Sequence, residues 1–253
     1  MSRRPICVRT LGGAFLRILS TSLWAVLLGS VLATAEPGNP PVSENEMVSR
    51  YLDATHTQQD TLRGGSMEMD IDAALPKLKK QGKLQALKNI SKLGKITFRM
   101  LGFSGDNTVK TEVIARYLKL EIDSAQDSSN ISITPENYKF KYKGTDEWNG
   151  RKIYVLHVNP RQKKVGLFKG ELWLDAETYM PVRESGSLVK SPSIFMKKMQ
   201  FVRQYAIQNG VAIPQHLESK ADFRFIGTVE LNVNYLRFSK EDPEAITASV
   251  EQQ

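Results

Sequence analysis

Three histidines, His56, His157 and His216, are the only side chains in this 253-residue chain whose ordinary titration falls near neutral pH. No two of them stand at i, i+4 spacing, and none sits in a phrase of acids that would complete a metal site. No metal and no cofactor is expected. Gly102-Phe103-Ser104-Gly105 resembles the start of a nucleophile elbow, but Asp106 stands where that pattern needs its last glycine, so the segment is read as a turn. A phosphate loop, a dinucleotide fingerprint and a paired-carboxylate phrase are all missing from the sequence. The expectation is a protein that is not an enzyme and has no catalytic residues. Cys7 is the only cysteine, so neither a disulfide nor a thiolate site is available beyond it.

The chemistry that remains is apolar and cationic. An aromatic and methionine stripe, Tyr138, Phe140, Phe195, Met199, Phe201, Tyr205, Phe223 and Phe225, recurs at alternate positions of β-forming segments. Its ordinary reading is a core; its sharper reading is the lining of a hydrophobic cavity. Residues 73–95 carry seven lysines and no acid: Lys77, Lys79, Lys80, Lys83, Lys88, Lys92 and Lys95. Leucines or isoleucine at 75, 78, 84, 87, 90 and 93 read as one or two short basic amphipathic helices broken near Pro76 and Gly82. Such a basic face is either solvated or docks on an anionic membrane surface or an acidic envelope protein.

The elements that must position these residues are mostly strands. Ser43 with Glu46 three residues on is a capping box, and Met47, Val48, Tyr51 and Leu52 follow at helical spacing, so a helix is expected to about Leu62, ended by Gly64-Gly65. From Ser66 the period becomes two: Met67, Met69 and Ile71, then Ile96, Phe98 and Met100, then Val109, Val113 and Tyr117 are each assigned to a strand. Gln126 to Asn130 reads as a polar loop. Further strands follow at Tyr138–Tyr142, Ile153–Val158, Phe168–Leu174, Pro181–Val189, Phe195–Ile207, Val211–Phe225 and Val229–Phe238, with Asn209-Gly210 as a hairpin turn. The pattern predicts a mainly β (α+β) fold, a large antiparallel sheet curled into a barrel or half-barrel and covered by helix.

Arg3, Arg4 and Arg9 precede the apolar run Ile18–Leu32, which ends in Ala33-Thr34-Ala35 before a Pro-rich stretch. That order is expected to be a signal peptide, residues 1–35, cleaved after Ala35 for export to the periplasm. Residues 36–42 then form a leader, 43–240 a single domain, and 241–253 a polar tail. Cleavage would remove four arginines and no acid, lowering the formal charge from +8 to +4. That modest charge argues against nucleic acid as a partner, and a monomer is expected.

Leu172-Trp173-Leu174-Asp175, Glu177-Thr178-Tyr179-Met180-Pro181, Asn209-Gly210 and Ile213-Pro214 together resemble the phrases of the periplasmic lipoprotein-carrier superfamily, the LolA and LolB-like group of outer-membrane lipoprotein-sorting proteins. The resemblance covers residues 138–240 well and 43–72 loosely. It implies an unclosed antiparallel β-barrel with a helical lid, sheltering lipid or lipoprotein acyl chains in a hydrophobic cavity lined by the aromatic stripe. The same fold also serves envelope-stress sensors, which implies the alternative of an interaction module with a packed core and no transport role.

Overall fold

The computed structural model describes residues 42–240. The expected signal peptide, nearly all of the leader and the polar tail lie outside the described residues.

Helix α1 (Glu44–Leu62) starts where its cap requires: Ser43 is extended and its hydroxyl accepts from the Glu46 backbone N–H at 3.2 Å. The chain leaves α1 through Gly64, at φ 75°, into β1 (Gly65–Leu75). A 3₁₀ turn (Pro76–Leu78) returns it as β2 (Lys80–Ile90), and β3 (Ile96–Gly105) follows. A helical stretch comes next: α2 (Asn107–Val109), a π turn (Lys110–Ile114), α3 (Ala115–Gln126) and α4 (Ser128–Ile131). Seven strands complete the fold: β4 (Tyr138–Trp148), β5 (Arg151–Pro160), β6 (Phe168–Asp175), β7 (Pro181–Leu188), β8 (Met196–Gln208), β9 (Val211–Phe223) and β10 (Gly227–Lys240).

All ten strands form one antiparallel sheet in the order β3-β2-β1-β10-β9-β8-β7-β6-β5-β4. The sheet is not closed, because β3 and β4 are its two edges although they are consecutive in sequence. The helical stretch 107–131 is the connection between those edges. Hairpin turns carry the rest, and at β8–β9 Asn209 and Gly210 take φ 51° and 75°, the pair of left-handed residues that a two-residue turn matching the strand twist requires.

One face of the sheet holds two apolar clusters. In the first, α1 sets Met47, Val48 and Tyr51 against Tyr138, Leu156, Val158, Phe168, Leu172 and Leu174 from β4, β5 and β6. In the second, Val109 and Ile114 of the helical stretch meet Met69, Ile71, Leu84, Leu217, Leu231 and Val233 from β1, β2, β9 and β10. Phe201 of β8 packs against both. The fold is therefore an unclosed half-barrel with helical cover.

Four expectations are corrected. Residues 109–117 are helical, not a strand: Val109, Val113 and Tyr117 are four apart, a spacing that fits a helix face as well as every second strand position, and Ile114, Tyr117, Leu118 and Glu121 continue that face. Asp106 starts the helix, its carboxylate accepting from the Thr108 N–H at 2.7 Å. Residues 73–95 are not a basic helical insertion but the end of β1, a turn and β2, in which Gly82, Leu84, Ala86 and Lys88 alternate inward. Pro76 and left-handed Lys79, at φ 51°, force the turn, and pairing with β1 and β3 satisfies the backbone. Gly102–Gly105 lies in β3 rather than in a turn, and part of the expected polar loop, from Ser128 on, is α4.

Candidate functional site

A groove of about 510 Å³ lies between the first turns of α1 and the edge strand β4. The capping of α1 at Ser43 projects Val48 and Leu52 from the helix toward Tyr138 and Phe140; half-buried Leu52 and Phe140 form the open apolar wall of the groove, with buried Val48 and Tyr138 beneath them. Its rim is polar: Glu44, Asn45 and Ser49 from α1, and the exposed cations Lys139 and Arg161. Glu44 accepts from the Tyr142 backbone N–H at 2.7 Å, so the helix caps an edge-strand donor that would otherwise face solvent. Arg161 is held in place by its Nε–H, which donates to the Pro135 carbonyl at 2.6 Å. The arrangement offers a groove of mixed polar and apolar surface, with Lys139 and Arg161 as well as Glu44 at its rim, which suits an amphiphile rather than a plain hydrocarbon.

The aromatic stripe is divided among three environments. Tyr138 is fully buried; it stacks on Phe168 with centroids 5.7 Å apart, and its hydroxyl accepts from the Phe168 N–H. Burial pushes the Tyr138 phenol up to about 12, although that hydrogen bond acts the other way. Phe140 and Phe201 are half-buried against the same cluster, and Phe201 meets Phe168 edge to face at 4.9 Å. Met199 and Phe223 are half-buried further along β8 and β9. Phe195 and Phe225 are exposed, 50% and 71%, and stack on each other with centroids 5.8 Å apart. Phe195 does not share the inward face of β8, because the register shifts between Met196 and Lys198 and reverses the alternation before it.

Tyr205 leads to a feature that pattern reading missed. Its hydroxyl donates to Glu184 Oε1 at 2.9 Å, and Glu184 faces Arg203 at 3.5 Å. Arg203 in turn faces Glu121 of α3 at 3.7 Å, and Glu121 accepts from Lys88 Nζ at 2.9 Å. Beside them the Tyr117 and Tyr235 hydroxyls are 3.2 Å apart. A charge-balanced chain, Lys88, Glu121, Arg203, Glu184, thus crosses the interior from β2 through α3 to β8 and β7. Burial raises the Glu121 carboxyl, but the facing Lys88 and Arg203 outweigh it and hold it below the usual carboxylate range. For Lys88, burial is the largest single influence and lowers the ammonium, but attraction from Glu121 and Tyr235 and the hydrogen bond to Glu121 together outweigh it and leave it raised. The signal was present in the sequence: Arg203 lies between Phe201 and Tyr205 at the same period of two, and Lys88 follows Leu84 and Ala86.

The seven lysines do not form one surface. Lys77 and Lys79 are exposed at the β1–β2 turn, and Lys92 and Lys95 are exposed at the other end of β2. Lys80 pairs with Asp106 at 3.3 Å and Lys83 with Asp72 at 2.7 Å. Lys88 is buried, which removes it from any docking face. Among the three histidines, His216 Nδ1 lies 2.8 Å from Asn234 Oδ1 in a cross-strand pair. Among the described residues no three His, Asp or Glu side chains gather as metal ligands, and no helix is long and apolar enough to cross a membrane.

No family model matches the chain, and no curated protein matches it. Solved structures do. A DUF1329 family protein from Desulfovibrio piger aligns at 11% identity and a TM-score of 0.44, covering 81% of this chain and 95% of that one. An outer membrane lipoprotein-sorting protein domain from Vibrio parahaemolyticus, described as putative in its own name, aligns at 12% and 0.37, covering 81% and 98%. A LolA superfamily protein from Nitrosomonas europaea aligns at 10% and 0.38, covering 79% and 96%.

Proposed function

We propose that this chain is an exported binding or carrier protein that shelters the acyl part of a lipid or lipoprotein, with the groove between α1 and β4 as its entry or binding site. The observation that carries the reading is the groove itself: about 510 Å³, lined by Val48, Leu52, Tyr138 and Phe140, with Lys139 and Arg161 at its rim. That volume lies within the range of small-ligand sites.

The magnitudes favour an amphiphile over a plain hydrocarbon. Burying ten methylenes is worth about 8 kcal/mol, close to the whole free energy of micromolar binding before any cost of association is met. A contact between an anionic head and Lys139 or Arg161 supplies part of that difference. No step of the reading requires catalysis.

Native mass spectrometry of residues 36–253, purified without detergent and followed by organic extraction, tests it. A discrete lipid-sized adduct that is lost in a Leu52→Arg variant is the expected result. A clean unliganded mass, with no uptake of added fatty acid or phospholipid, overturns it.

A second reading, an envelope interaction module that pairs with another chain, rests on the edge strand β3. There Met100 and Leu101 are 52% and 51% exposed, and Arg99 is the only charged side chain of the strand. The edge strand β4, by contrast, carries Lys139, Lys141 and Lys143 and is capped by Glu44.

A further inference from the structure

Three connections meet at one end of the sheet: the β1–β2 turn, the β7–β8 loop and the β9–β10 turn. Arg224 N–H donates to the Phe195 carbonyl at 3.0 Å, and Lys77 Nζ donates to the Phe225 carbonyl at 3.0 Å. The stem of Lys77 also packs against Gly227. The tips of these connections are apolar and open: Ile194 is 81% exposed, Phe225 71%, Phe195 50% and Leu78 43%.

These connections and the strand ends beside them carry Lys77, Lys79, Lys190, Lys197, Lys198 and Arg224 against one carboxylate, Asp222, which already accepts from Thr228 Oγ1 at 2.8 Å. An aromatic pair and an isoleucine held out to water cost free energy with nothing returned inside the fold. Their setting limits the occupant. The exposed apolar groups stand on three separate connections rather than along one helix or strand, so they suit a soft surface that deforms around them. The surrounding cations match a surface of negative charge, and lysine stems reach past an apolar tip while keeping their charged ends at head-group level.

We infer that this end of the sheet docks on an anionic lipid bilayer, with Ile194, Phe195 and Phe225 entering the interface and the lysines and Arg224 resting on the head groups. The inference is independent of the groove at α1 and β4: Leu52→Arg leaves vesicle binding unchanged, and loss of docking leaves the groove intact.

Co-sedimentation of residues 36–253 with phosphatidylglycerol–phosphatidylethanolamine vesicles, against phosphatidylcholine vesicles, is the test. Binding is expected only to the anionic vesicles and is expected to fall at high salt. Lys197→Glu with Lys198→Glu weakens it at least about tenfold, and Phe195→Ser with Phe225→Ser does likewise. Circular dichroism shows whether each variant remains folded. A Phe225→Trp protein guards against misfolded variants, because its emission shifts to the blue on anionic vesicles if the tip enters the bilayer. Equal binding to neutral vesicles, absent binding, an unchanged Phe225→Trp emission on vesicles that do sediment the protein, or capture by an acidic polypeptide but not by lipid each overturns the inference.

Discussion

Lys88 Nζ lies 2.9 Å from Glu121 Oε2, joining the inward row of β2 to the helix that connects the two edges of the sheet. Both side chains are largely buried, at 10% and 17% exposure, so the pair is a tie between helical cover and sheet. Removing Glu121 leaves the Lys88 ammonium buried without an anion, and removing Lys88 leaves Glu121 with only the longer contact to Arg203, so a loss of up to about 3–5 kcal/mol follows. Lys88→Met and Glu121→Leu are each expected to lower stability by an amount of that order in urea unfolding. The double substitution recovers most of the loss, because an apolar pair has no charge to strand.

Glu121 of this network and Asp175 at the β6–β7 turn together set a pH dependence. Glu121 and Asp175 both have folded-state pKa values below their ordinary values. In each, burial acts upward and is outweighed, by Lys88 and Arg203 for Glu121 and by the Thr178 N–H, the Thr178 hydroxyl and Arg151 for Asp175. The unfolded chain therefore binds more protons in acid, and stability rises with pH there. The contribution is complete above the ordinary values of 4.5 and 3.8 and is lost as pH falls through the lower folded values. Urea midpoints are expected to be level at mildly acid and neutral pH and to fall below about pH 4.5. The acid limb is shallower in Glu121→Gln.

At the groove, Leu52→Ala and Phe140→Ala are expected to weaken binding of a fatty acid or lysophospholipid by about tenfold each, from the loss of apolar contact worth about 1.5 kcal/mol. Lys139→Gln weakens the anionic amphiphile but not a neutral one of equal chain length. Fluorescence displacement titrations measure both.

Gly170 and Gly186 face each other across β6 and β7, and Gly186 is the partner of Phe201 on β8. A Cβ on Gly170 would overlap the Ser185 carbonyl, and one on Gly186 would meet the Lys169 carbonyl and the Phe168 ring. Gly170 allows close backbone approach of β6 and β7, and Gly186 leaves room for the Phe168 ring, which meets Phe201 edge to face. Gly170→Ala is expected to destabilise by about 1–3 kcal/mol, read as a lowered urea midpoint, because the obstacle is backbone rather than a flexible side chain.

Much of the architecture was legible because it rests on local rules. The Ser43 cap, the alternation of Met67, Met69 and Ile71, and the Asn209-Gly210 turn each act within a few residues and appear in the fold as their chemistry requires. Errors arose where one pattern satisfied two periods. Residues four apart, as at Val109, Val113 and Tyr117, fit a helix or alternate strand positions equally, and leucines three apart in 75–93 imitated a helix within strands.

The sequence by itself determined that a large antiparallel sheet would form and that aromatic side chains would recur along its inner rows, because alternation and turn chemistry are properties of neighbouring residues. Only the tertiary structure decided which of those residues became core, network or exposed tip. Phe195 left the inner row through a register shift between strands, Lys88 became an interior charge because a helix placed Glu121 above it, and Phe140 came to line a groove because α1 settled beside it. Each of those outcomes depends on a partner distant in sequence, whose position is set by how the whole sheet and its cover pack.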